Sequence, residues 1–106
     1  MNVGTQDVGL SISAAGTTQA TATQLINGMN QVSTVASGAG VVLFLAPTGG
    51  YSQLVYNGGA NSLKVYPPLA AQINARGANN AMTLAPGTSC LFWYLSATLI
   101  GAILSA

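Results

Sequence analysis

Charge is the scarcest thing in this sequence: of 106 residues only Asp7, Lys64 and Arg76 carry a full one, and histidine is absent. Charged residues make up about a quarter of an ordinary soluble domain. Two cations cannot supply the several basic contacts that give affinity for a nucleic-acid backbone, and there is no basic cluster to hold anionic lipid. A single carboxylate side chain without any imidazole leaves no general acid–base pair and no donor set for a metal site of His, Cys and carboxylate. The nine serines have no base to activate them beyond Lys64. The glycine-rich stretches contain neither a phosphate-binding Gly-Lys-Ser/Thr nor a dinucleotide fingerprint and read as turns. No catalytic, metal or cofactor-binding residue is therefore assigned, and neither enzymatic activity, a cofactor, a small-molecule substrate nor nucleic acid is expected.

Cysteine is nearly absent as well. Cys90 stands alone, which excludes a disulfide within the chain, and its setting Ser89-Cys90-Leu91-Phe92-Trp93 reads as a buried thiol. A long hydrophobic run is also missing. Cys90 to Leu104 is the most apolar stretch, but it falls short of the roughly 20 residues needed to cross a bilayer, and no Lys or Arg flanks it. Interrupted by Ser96 and Thr98, it reads instead as two strands meeting at a turn near Ser96-Ala97-Thr98, and no membrane association is expected. The N-terminus has neither a basic nor an apolar leader region, so synthesis in the cytoplasm is expected.

Half of the residues are hydrophobic, and another 33 are Ser, Thr, Asn or Gln. Such a surface has little to hold copies apart and is suited to being covered by neighbours. Turn signals recur at Asn27-Gly28, Ser37 to Gly40, Ala46 to Gly50, Asn57 to Asn61, Pro67-Pro68, Gly77 to Asn80 and Ala85 to Thr88. Between them lie short segments rich in β-branched and aromatic residues: 31–36, 41–45, 51–56, 62–66, 81–84, 89–95 and 98–104. This spacing predicts an all-β fold, a small antiparallel β-sandwich or barrel of jelly-roll type. Residues 1–13 form an extended N-terminal arm that settles on a neighbour, and residues 14–106 form one β domain.

Alternation orients the strands: Leu54 and Tyr56, like Leu63 and Val65, are expected to point inward, with Gln53, Val55, Lys64 and Tyr66 on the other side. Val41 to Leu45 does not alternate and reads as a central strand covered on both faces, one of them by another subunit. The Thr/Ala alternation at 16–25 suggests an edge strand, with a helix over Ala20–Met29 as its rival. Repeated turn chemistry, Gly59-Ala60-Asn61 against Gly77-Ala78-Asn79 and Ala46-Pro47 against Ala85-Pro86, reflects what turns need and is not read as a solenoid period. The aromatics Tyr51, Tyr56, Tyr66, Phe92, Trp93 and Tyr94 read as core or interface residues ahead of a glycan-stacking platform.

One order of motifs goes further. Asn57-Gly58-Gly59-Ala60-Asn61-Ser62-Leu63-Lys64-Val65-Tyr66-Pro67 is followed by Ile73-Asn74 and then by Leu84-Ala85-Pro86-Gly87-Thr88-Ser89 before an aromatic strand. Over Val41 to Leu104 this resembles the small β-rich structural proteins of tailed bacteriophages. The resemblance implies a virion protein, a capsid decoration (cement) or head-fibre protein on the outer shell, homotrimeric, with the major capsid protein as partner. Attachment to a tail or baseplate, with receptor binding, is the variant, and a small phage membrane protein is the alternative from a different class. The family pattern supplies no catalytic residue. Subunit or capsid contacts are expected from Val41, Val42, Leu43, Phe44, Trp93, Leu99, Ile100 and Ile103, the least polar strand positions.

Overall fold

The computed structural model describes residues 7–105, among which there is no helix. Ten strands form: β1 (Val8–Ala14), β2 (Thr23–Gln24), β3 (Met29–Val35), β4 (Gly40–Val42), β5 (Ser52–Asn57), β6 (Leu63–Tyr66), β7 (Gln72–Ile73), β8 (Met82–Leu84), β9 (Ser89–Tyr94) and β10 (Leu99–Leu104). They build two sheets, β1-β3-β5-β9-β10-β7 (sheet A) and β2-β4-β6-β8 (sheet B). The all-β class is as the composition predicts, but the antiparallel sandwich or barrel is not what forms. β1, β3 and β5 pair in parallel, and so do β2, β4 and β6. Parallel neighbours need a crossover. Here each crossover is a strand of the opposite sheet, so the chain winds through three successive coils of a β-solenoid.

The last third closes the winding. β7 pairs in parallel with β10, while the β9–β10 hairpin is wedged between β5 and β7 in antiparallel register. β8 runs antiparallel to β6. The apolar 90–104 run is thus the expected strand pair, with the Ser96 hydroxyl accepting hydrogen bonds from the N–H groups of Thr98 (3.3 Å) and Leu99 (3.1 Å) in the connecting turn. No helix of the described residues is long and apolar enough to cross a membrane.

The core lies between the sheets, with Val32, Val35, Val55, Phe92 and Ile100 of sheet A facing Val41, Leu63, Val65 and Leu84 of sheet B. Buried amides fasten its corners. Asn57 Nδ2 donates to the carbonyls of Asn61 and Leu84, both at 2.9 Å, while its Oδ1 accepts from Gly59 N–H at 2.9 Å. Gln53 Oε1 accepts from Phe44 N–H at 3.1 Å, and Nε2 donates to Asn27 C=O at 2.9 Å. These inward amides reverse the phase expected for β5: Gln53, Val55 and Asn57 are buried, and Leu54 and Tyr56 point outward. In β6 the expected phase holds for Leu63 and Val65, which are buried.

Of the expected arm, residues 1–6 lie outside the described residues. Val8–Ala14 is β1, paired with the protomer's own β3 at the edge of sheet A. The edge strand expected over 16–25 shrinks to β2, because Gly16, at φ +76° with the Thr21 carbonyl where a Cβ would be, starts a turn at Thr18–Thr21. This loop folds across the outside of sheet B: Tyr66 Oη donates to Thr17 C=O (3.0 Å), and Gln19 Nε2 to Pro67 C=O (2.7 Å). β4 is therefore buried on both faces, as its unbroken apolar run suggests, but its second cover comes from the chain itself.

Candidate assembly face

Chemistry has little to work with in this structure. The Asp7 carboxylate accepts from Gly28 N–H at 3.1 Å beside β1, Lys64 lies on β6 and Arg76 in the turn after β7. No group of three His, Cys, Asp or Glu able to hold a metal ion occurs among the described residues. Cys90 is buried, and desolvation pushes its thiol from near 9 up to about 11, a value at which it is neither a nucleophile nor a ligand at neutral pH. Burial likewise raises the Tyr94 phenol, whose hydroxyl donates to Phe44 C=O at 2.6 Å.

Exposed apolar side chains are what this protein has in quantity, and the strand register collects many of them on one surface. Across sheet A, Val8 pairs with Met29, Met29 with Leu54, Leu54 with Leu91, and Leu91 with Ile103. All five point to the outer face, because each strand's inward residues are those of the core. Val8 is 53% exposed, Met29 37%, Leu91 40% and Ile103 60%, with Leu54 half-buried between them. Five strands about 4.8 Å apart make this a straight apolar row about 19 Å long. A polar row runs beside it, Gln31 paired with Tyr56 and Tyr56 with Ser89. On the other side Ser52 pairs with Trp93 and Trp93 with Gly101, the indole lying where a Cβ on Gly101 would be.

No charged residue lies on β3, β5, β9 or β10. A sheet whose parallel strands carry apolar groups on both sides is ordinarily covered on both. Contiguous exposed apolar surface of this kind marks a contact site. Its chemical capacity is burial: about 25 cal/mol for every Å² of apolar area removed from water, with no dependence on pairing of charges.

The contact residues expected from sequence divide in two. Val41, Val42, Leu43 and Ile100 are buried inside the protomer and have no surface to offer a neighbour. Phe44 is half-buried in an edge-to-face cluster with Tyr94 (ring centroids 5.1 Å apart) and Tyr51 (5.7 Å). Trp93, Leu99 and Ile103 belong to outward positions of sheet A. Val8, Met29, Leu54 and Leu91 were missed, and the signal that finds them is the cross-strand register, which puts residues far apart in sequence on one line. Of the tyrosines, Tyr51 and Tyr56 are exposed while Tyr66 is buried.

Compared with protein-family models, curated proteins and solved structures, the chain matches none.

Proposed function

We propose that the protein is a non-enzymatic structural subunit of a bacteriophage virion, a capsid decoration protein that lies on the outer shell and binds the major capsid protein. The observation that carries this reading is the uncharged apolar row across the outer face of sheet A, on a chain with three charged residues in all. A face of this kind is stable in water only when covered. The motif order over Val41 to Leu104 supplies the virion context, and the poverty of titratable side chains suits a scaffold. Contacts made by apolar area and backbone hydrogen bonds are insensitive to salt.

Mass spectrometry of purified particles of the virus that encodes the chain tests the reading directly. The protein is expected among the abundant structural components and is expected to stay bound through washes from low to molar salt. Its absence from particles refutes the assignment, and release in proportion to log[salt] refutes the apolar mode of attachment.

The exposed Tyr51 and Tyr56 favour a second reading, a receptor-binding module of the tail, in which these rings stack on glycan. Selective binding on a glycan array that Tyr56→Ala abolishes would decide for it.

A further inference from the structure

We propose that the outer face of sheet A is the interface between two copies of this chain, related by a two-fold axis that lies between the sheets and runs along β5 above Leu54. The inference rests on the assembly reading above and names the neighbour that covers the row; in the pair, contact with the shell falls to exposed apolar groups outside the row, such as Leu45, Leu69 and Leu95.

The geometry points to a second copy because the face matches itself. Such an axis reverses the order of strands across the face while leaving each row opposite its own copy. In the apolar row, read through its pairings, Val8 then meets Ile103 of the other copy, Met29 meets Leu91, and Leu54 meets Leu54. β-branched ends meet each other, and flexible Met meets Leu. In the neighbouring row Gln31 meets Ser89, an amide against a hydroxyl, and Tyr56 meets Tyr56. Apolar thus faces apolar and polar faces polar along both rows.

Charge and area support the same occupant. A partner with an ordinary charged surface would bury charges against β3, β5, β9 and β10, which carry none with which to pair them. A copy of this chain brings no such penalty. Five strands of about six residues cover roughly 25 Å by 20 Å, on the order of 500 Å² per copy and about 1,000 Å² for the pair. That reaches the size at which specific interfaces begin. Two sheets packed face to face settle about 10 Å apart, close enough for outward side chains to interdigitate.

A pair formed in this way is closed, so it is a dimer and not the homotrimer implied by the resemblance. Sedimentation equilibrium or light scattering on the purified chain is expected to give twice the monomer mass of 10.6 kDa. Leu54→Lys sets two ammonium groups against each other at the axis and is expected to give the monomer mass, with the wild-type circular dichroism spectrum. Thr83→Lys, on the exposed side of β8 in sheet B, is expected to leave the dimer intact. Because the first substitution can also disturb folding, Leu54→Cys provides an independent test. Thiols facing each other across sheets about 10 Å apart lie beyond disulfide reach but within that of a short bismaleimide, so this cross-linker is expected to give a covalent dimer that Thr83→Cys does not. A monomeric or trimeric wild type, or equal cross-linking at the two positions, overturns the proposal. Virion incorporation is read separately: wild type found in particles but monomeric in solution sinks the pairing alone, and a dimer absent from particles sinks the virion reading alone.

Discussion

The Asn57 side chain ties the corner after β5 to two other segments, and two substitutions there separate the reasons. It is completely buried and makes three hydrogen bonds, two as donor to the carbonyls of Asn61 and Leu84 and one as acceptor from Gly59 N–H. Asn57→Ala strands all three partners. The Leu84 carbonyl, whose bond is wholly buried, loses about 1 to 3 kcal/mol, and the two part-buried groups lose about 1 each. The expected total is about 3 to 5 kcal/mol, a large share of the roughly 5 to 15 kcal/mol of a small domain. Urea unfolding followed by the fluorescence of Trp93, the sole tryptophan, should show the midpoint falling by about 2 M for a slope near 2 kcal/mol/M. Asn57→Asp keeps the acceptor for Gly59 but turns a buried oxygen toward two carbonyls. Desolvation and these carbonyls raise the introduced carboxyl's pKa in the folded state above its unfolded value of about 4. The folded state then binds the extra proton, so stability is present at acid pH and is lost as pH rises through the raised value. Below that pH the protonated carboxyl donates to one of the carbonyls. Asn57→Asp is therefore expected to be less stable than Asn57→Ala at pH 7 and more stable near pH 4, at one fixed protein concentration. With one side-chain carboxylate and no histidine, the wild type supplies a nearly flat background. Parallel pH profiles for the two variants, or a loss below 1 kcal/mol for Asn57→Ala, would refute the role given to this side chain.

Three further expectations follow from the packing. Gly101→Ala puts a methyl 2.5 Å from Cε2 and Cζ2 of Trp93, so the ring has to leave its seat; a red-shifted emission spectrum and a loss of about 1 to 2 kcal/mol are expected, and an unchanged spectrum counts against the contact. Gly16→Ala combines a left-handed φ of +76° with a clash against the Thr21 carbonyl and is expected to free the loop across sheet B, read as faster amide exchange at Leu43, whose N–H donates to Tyr66 C=O, at a cost of about 2 to 4 kcal/mol. Because burial holds the Cys90 thiol near 11 rather than 9, it should resist a thiol reagent at pH 8 in the folded protein and react at once in denaturant; stability should fall as pH rises from about 9 to about 11, and rapid native-state labelling would contradict the burial.

The strands were legible because β-branched and aromatic runs between Gly, Asn and Pro leave few alternatives, and the Leu95–Thr98 turn was legible for the same reason. Their pairing was not. A glycine-asparagine turn looks alike whether it reverses a hairpin or carries the chain from one sheet to the other. The coils also lack a constant period: Met29 follows its partner Val8 by 21 residues and Leu54 follows Met29 by 25, whereas Val41 follows Thr23 by 18 and Val65 follows Val41 by 24. Unequal corners absorb the differences, which hides the winding from any search for a repeat. β1 was hidden in another way. Val8-Gly9-Leu10-Ser11-Ile12 carries two glycine or serine interruptions, its register shifts on both sides of Ile12 and Ser11 adopts φ 56°, so it reads as an extended arm although β3 holds it.

The candidate face depends on register even more strictly. A slip of one residue turns every side chain of a strand to the other side. Reading β5 by hydropathy alone sends Leu54 and Tyr56 into the core, which is the ordinary solution for a strand of a free monomer. The fold instead buries Gln53 and Asn57, whose amides find two and three partner groups at the corners, and leaves the leucine and tyrosine outside. The carbonyls and N–H groups that these two amides satisfy lie at corners closed off from water, so the amides take the interior positions. The apolar residues displaced by them are the ones that line up with Met29 and Leu91. The same choice that ties the coils together therefore creates the uncovered row, and a sequence so poor in charge has nothing with which to keep that row apart from a second copy.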